Sequence, residues 1–239
     1  MIYLCGFHAM EEWIKAGKPA HTLLVAKPGP RSREIMKLAQ ERKIRIERAG
    51  TFDLDRLSPG HRGLVLEVED LSREEISFES FIASVKGKEK ALVFILDEIT
   101  DPHNYGAILR SCDQFAVDLV VSGKRRNAKH ADVILKTSSG TSSWVPQAET
   151  ANLVRAVDDL KEAGFWVYGA DMTGEPAYSI DLSGRVAIIL GSEGTGISRL
   201  LRENCDAMIA VPTLGRIDSL NVSVAAGILL YEVIRQRKC

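Results

Sequence analysis

The sequence predicts an α/β protein in two parts: a small α/β domain over residues 1–70, a linker over 71–90, and a larger domain with a mostly parallel sheet over 91–239. Three observations carry this. Short strand-like apolar runs alternate with helical stretches from the first residues onward. Ala91–Leu96 is a continuous apolar run, as a central parallel strand covered on both faces requires. Near the end, an apolar run from Ala207 to Val211 stops at Pro212, and a loop leads into an apolar helix over 220–234. Strand, loop and helix in that order collect unpaired N–H groups and the positive end of a helix dipole at one place.

In the first part, Ile2–Cys5 reads as a strand and Gly6 as the turn into a helix over 8–16. Thr22–Ala26 is a strand, and Lys27–Arg33, with two prolines and a glycine, a loop. A helix over 34–42, a strand over 44–46, a helical turn over 53–57 and a strand over 63–68 complete it. The stretch 71–90 is charged and polar, with one anchoring turn at 78–83. In the second part, a loop over 97–105 precedes a helix over 106–115, and Leu119–Val121 is a strand. Residues 124–146 are loop-rich, with a helix expected over 131–135. A helix over 152–163, strands at 165–169 and 186–190, and a short helix at 198–204 lead to the closing segment. The resulting sheet is doubly wound, and ligands of such sheets sit at the carboxyl ends of the strands.

Bulk composition narrows the chemistry. The chain has 31 Lys and Arg against 32 Asp and Glu, a net charge of −1, so any polyanion must be met by local basic patches. Four widely spaced cysteines and five histidines show neither C-x-x-C nor metal-ligand spacing, which points away from a metal and toward a reducing, cytoplasmic setting. No apolar run approaches the length of a membrane span, and no secretory signal pattern opens the chain.

Three loops that follow buried strands carry polar residues a plain connection does not need. The first holds Asn104, placed as a helix cap, and Arg110 about one turn past Gly106. The second, Gly191-Ser192-Glu193-Gly194-Thr195-Gly196, has G-x-x-G-x-G spacing, which is not a dinucleotide fingerprint. Glu193 would repel a pyrophosphate there and suit a ligand carrying positive charge. The third loop holds Ser219 and Asn221, with Ser219 at the expected N-cap; a capping pair and a functional site are both open readings. Basic residues gather in the loops of both parts: Arg31, Arg33 and Arg62 in the first, Lys124, Arg125 and Arg126 in the second. Such clusters are either solvated rims or a track for a polyanion.

Taken together, Asn104-Tyr105-Gly106-Ala107-Ile108-Leu109-Arg110, Leu190-Gly191-Ser192-Glu193-Gly194, and Val211-Pro212 followed by Ser219-Leu220-Asn221-Val222-Ser223 resemble the three ordered motifs of the SPOUT-class RNA 2′-O-ribose methyltransferases, TrmH/SpoU branch. Gly6-Phe7-His8-Ala9-Met10 and Gly60-His61-Arg62-Gly63 are similar to the small RNA-binding domain of a large-subunit rRNA guanosine subfamily, in which Arg62 stands where glutamine is usual. The resemblance covers nearly the whole chain. It implies an L30e-like first domain, a deep trefoil knot in the second, and a homodimer joined through the second domain. It also implies S-adenosyl-L-methionine as cofactor, held around Gly191, Val211 and Leu220, with Asn104, Arg110, Glu193, Ser219 and Asn221 around the reacting centre. The implied target is a guanosine ribose of 23S rRNA, with tRNA the less favoured substrate. A non-catalytic RNA-binding ribosome factor and a nucleotide-dependent oxidoreductase are the readings from other classes. The four polar motif residues speak against the first of these, and the glycine spacing with Glu193 against the second.

Overall fold

The computed structural model describes residues 2–58, 61–68, 76–124, 128, 133–134, 137–138, 142, 145–215 and 219–238. Their contacts divide the chain into two units, 1–73 with 130–144, and 74–129 with 145–239.

The first unit is a four-stranded sheet with helices. Its strands are β1 (Ile2–Leu4), β2 (Ala20–Val25), β3 (Arg45–Arg48) and β4 (Leu64–Val68), in the order β1-β4-β2-β3. β4 runs antiparallel to β1 and β2, while β2 and β3 are parallel. Helices α1 (Phe7–Lys15) and α2 (Pro30–Glu41) pack on each other and cover a core of Leu4, Met10, Trp13, Ile14, Leu23, Ile35, Leu64 and Leu66. α2 begins four residues earlier than the sequence suggests. Pro30 occupies the first helical turn behind Gly29, where its missing N–H costs nothing, so Arg31 and Arg33 stand on a helix and not in a loop. A short helix α3 (Thr51–Leu57) joins β3 to β4.

The second unit opens with α4 (Phe78–Ser84) and then builds a six-stranded, all-parallel sheet. Its strands are β5 (Ala91–Leu96), β6 (Leu119–Gly123), β7 (Gln147–Thr150), β8 (Trp166–Pro176), β9 (Arg185–Leu190) and β10 (Ala207–Ala210), ordered β10-β8-β9-β5-β6-β7. β5 is central and buried at all six positions, as its unbroken apolar run requires. Ala91, Val93 and Ile95 point into one cluster with α4, α6 (Leu153–Glu162) and α7 (Arg199–Glu203). Alternation turns Leu92, Phe94 and Leu96 to the opposite face. α5 (Pro102–Gln114) and α8 (Val222–Lys238) pack against each other and complete the helical complement.

Three readings shift, and a fourth is left mostly untested. The helix after β5 starts at Pro102, not 106, because Asp101 caps it by accepting the His103 and Asn104 amides at 3.1 and 3.2 Å. β8 continues past Gly169 to Pro176, paired with β10 across a register shift. β7 is a short edge strand whose polar sequence gave no apolar signal. The helix expected over 131–135 falls largely outside the described residues, of which 133–134 are helical.

Candidate functional site

At the carboxyl ends of β9 and β10 lies a cavity of about 650 Å³. Its apolar wall includes Leu190, Ile209, Val211, Leu220 and Leu229, and its polar rim includes Asp171, Glu193, Thr195, Ser219 and Asn221. The second loop is a tight reverse turn. Ser192 and Gly196 exchange backbone hydrogen bonds of 3.1 and 3.0 Å, and Gly194 and Gly196 take φ of 98° and 68°. A side chain at Gly191 has no room, since its Cβ would stand 2.1 Å from the Gly196 carbonyl carbon. Below the loop, the buried Asp97 carboxylate accepts the Ser198 amide at 2.7 Å and ties the end of β5 to the start of α7.

The three motif loops converge on one hydrogen-bonded group. Asn104 Nδ2 donates to Glu193 Oε1 at 2.9 Å. Asn221 Nδ2 donates both to Asn104 Oδ1 and to Glu193 Oε1, each at 2.9 Å. Asn221 Oδ1 meanwhile accepts the Ser223 amide at 2.9 Å and the Ser223 hydroxyl at 2.6 Å. Those two donors dictate which way the Asn221 amide faces, because only its oxygen can accept them. The NH₂ group is thereby directed at Glu193. Asn221, not Ser219, therefore caps α8, and Asn104 lies inside the first turn of α5 as a bridging group, not as its cap.

Six of the eight motif residues singled out in the sequence line the cavity: Gly191, Val211, Leu220, Glu193, Ser219 and Asn221. Asn104 is 8% exposed and reaches the rim through Glu193 and Asn221. Arg110 does not line the cavity. It stands exposed on α5 with no hydrogen bond or ion pair to the described residues, six positions from Asn104 and so on another side of the helix.

Two rim residues escaped the sequence, Asp171 and Met172, because β8 was expected to end at Gly169. Burial pushes the Asp171 carboxyl up, but the Thr173 hydroxyl and amide and the Arg202 guanidinium outweigh it and hold it below its ordinary value. Asp171 thus stands at the cavity as a carboxylate paired with the Arg202 guanidinium.

The basic residues divide. Arg31 is committed to Glu11 and Glu34, so its charge is largely neutralised. Arg33 and Arg62 are exposed, Arg62 with a left-handed φ of 51°. Lys124 is exposed at the end of β6, while Arg125 and Arg126 lie outside the described residues. Among the described residues, no cluster of three or more His, Cys, Asp or Glu could hold a metal ion, and no helix is long and apolar enough to cross a membrane.

Residues 91–231 match the SpoU rRNA Methylase family, and residues 3–73 match the RNA 2′-O ribose methyltransferase substrate binding family. A protein of Borreliella burgdorferi named as a tRNA/rRNA methyltransferase is 40% identical over 218 residues, covering 88% of this chain and 96% of its own. Among solved structures, the AdoMet-bound rRNA methyltransferase of Sinorhizobium meliloti superposes with a TM-score of 0.73 at 20% identity, over 98% of this chain and 87% of its own. The TrmH/SpoU tRNA modifying enzyme of A. aeolicus superposes with a TM-score of 0.55 at 28% identity, over 67% of this chain and 82% of its own.

Proposed function

Because the chain belongs to the SpoU/TrmH family of RNA methyltransferases, we propose that the cavity binds S-adenosyl-L-methionine and that the protein methylates a ribose 2′-hydroxyl of RNA, a guanosine of 23S rRNA above all. The observation that carries this reading is the Asn104–Glu193–Asn221 group, drawn from three separate loops to one rim of the cavity. The cavity suits the cofactor in size and lining. Its volume lies within the range of small-molecule sites. Leu190, Ile209, Val211, Leu220 and Leu229 offer an apolar wall for an adenine ring, and Glu193 and Asp171 offer negative charge to a cation. Bound there, the cofactor supplies a methyl group already made electrophilic by its sulfonium.

The protein's own task is to bring the ribose hydroxyl into line and to ease loss of its proton. Glu193 keeps the loops in register through its two amide partners. Ser219, on the rim without a side-chain partner among the described residues, has a hydroxyl available to orient the ribose. A guanidinium is suited to electrostatic work and not to proton removal, so the role of Arg110 is electrostatic: it holds a target phosphate and stabilises the developing alkoxide. The exposed, unpaired state of Arg110 among the described residues supports that role.

Ribosomal RNA is favoured over tRNA by the first unit. The tRNA modifying enzyme matches about two thirds of this chain, the rRNA enzyme nearly all of it. A homodimer through the second unit is supported by Val224, Ile228 and Tyr231, which are 50%, 41% and 59% exposed in a row along α8. A trefoil knot in the second unit is part of this reading through the family resemblance. Arg110→Ala is expected to abolish methyl transfer while S-adenosyl-homocysteine still raises the unfolding temperature. Near-normal transfer by that variant would remove Arg110 from the mechanism. The target is tested by mapping ribose methylation in cells lacking the protein: loss at one guanosine of 23S rRNA is expected, and loss confined to tRNA would overturn the choice of substrate.

A further inference from the structure

On α3 of the first unit, Phe52 is 72% exposed and the Arg56 guanidinium lies over its ring, 5.7 Å from the centroid. The pair is one helical turn apart, while Leu54, between them, is fully buried. Burial of Leu54 therefore sets the helix so that Phe52 and Arg56 face outward together. The ring is no displaced core residue.

Its surroundings are assembled by specific contacts. The Ala49 amide donates to the Val25 carbonyl at 3.1 Å and places the start of α3 beside the end of β2. The Gly63 amide donates to His61 Nδ1 at 2.9 Å, so His61 Nε2 carries the proton and donates to Asp55 at 3.2 Å, binding α3 to the loop before β4. That loop in turn touches the loop after β2: Ala26 donates to the Gly63 carbonyl at 2.9 Å, and a Cβ on Gly63 would stand 2.9 Å from the Lys27 carbonyl oxygen. One end of the sheet thus carries Phe52 and the exposed residues Lys27, Arg48, Arg56 and Arg62 on loops and element ends that these bonds tie together. Four basic side chains there stand against two acidic ones on α3, Asp55, which accepts from His61, and Asp53, which accepts from the Gly50 amide at 3.2 Å.

We propose that Phe52, backed by Arg56, is a stacking platform for an unpaired base of the RNA substrate, with Lys27, Arg48 and Arg62 holding the flanking phosphates. The proposal rests on the RNA-methylating reading above and adds to it a site that selects single-stranded or looped RNA. An aromatic face accepts any base, and an arginine against the ring adds a cation to the stack. The excess of basic over acidic side chains beside an exposed ring favours a nucleic acid, which brings phosphates and bases together.

The test uses the full-length protein with a fluorescein-labelled single-stranded oligoribonucleotide and its blunt duplex. Wild type is expected to prefer the single strand. Phe52→Ala is expected to weaken single-strand binding about tenfold, with Phe52→Trp restoring it and Phe52→Leu failing to. The dependence of log affinity on log salt should be unchanged in Phe52→Ala, and should fall by about one unit of slope in Arg48→Gln. In methylation assays, Phe52→Ala should raise KM for RNA and leave kcat as it was. Unchanged affinity in Phe52→Ala would overturn the proposal. So would equal rescue by Leu and Trp, which indicates a plain apolar contact, or a lowered unfolding temperature of Phe52→Ala, which indicates a packed ring. A wild type that binds single strands and S-adenosyl-homocysteine but labels no RNA would sink the methyltransferase reading and leave the platform standing.

Discussion

Asn221 carries two duties with one amide. Its oxygen caps α8 and its nitrogen bridges Glu193 and Asn104. Asn221→Ala removes both and is expected to cost about 1 kcal/mol for the cap alone, with weaker S-adenosyl-homocysteine binding in addition. Asn221→Asp separates the duties. It keeps an oxygen for the Ser223 amide but sets a second carboxylate against Glu193. Two such groups share a proton, so the folded-state pKa of one rises above its unfolded value. The stability of that variant should then be nearest wild type below about pH 4 and fall away as pH rises toward neutrality, as thermal unfolding across that range would show. Wild-type-like stability of Asn221→Asp at pH 7 would contradict the assigned contact. At this scale the sequence was partly legible. Polar loop residues made Asn221 and Glu193 candidates, and the family resemblance assigned them to a site, but the cap was assigned to Ser219. Residue type alone cannot say which of two adjacent polar side chains starts a helix.

At the level of elements, strands and loops were legible where they were apolar and short. β5 and β9 follow from their unbroken apolar runs. Helix starts were placed late at α2, where a proline read as a break sits at the first helical position, and at α5, where Asn104 was taken as the cap although Asp101 caps the helix ahead of Pro102. β8 was cut short because Asp171, Gly174 and Glu175 do not look like strand residues; pairing with β10 overrides their propensity. The loop after β9 owes its shape to glycine. With Gly191→Ala, the new Cβ meets the Gly196 and Ile197 backbone, and the turn must open. The expected result is a folded protein whose affinity for S-adenosyl-homocysteine falls roughly tenfold or more, read by calorimetry, since a strain of about 1–3 kcal/mol converts to that range. Full binding by this variant would show that the turn does not shape the cavity.

For the molecule as a whole, each unit has hydrophobic core among its described residues, around Trp13 and Leu23 in the first and around β5 in the second, and so its own reason to fold. The alternation of strands and helices announced both sheets, but nothing in composition or periodicity specifies the order β10-β8-β9-β5-β6-β7, which depends on long crossovers. The exposed apolar row on α8 is the surface proposed for a second copy. Ile228→Glu with Tyr231→Glu should convert a dimer into a folded monomer in sedimentation analysis; an unchanged mass would exclude this face. The span of the Asn104–Glu193–Asn221 group has a further consequence. Its members are 89 and 117 positions apart from Asn104 along the chain. During synthesis at roughly 5–20 residues per second, Asn104 must therefore wait several seconds for its last partner to be made. A ribosome-bound chain halted before Asn221 holds Asn104 and Glu193 but lacks the residue that joins them across the rim. The cavity proposed for the methyl donor is therefore completed only late in synthesis, with the start of α8.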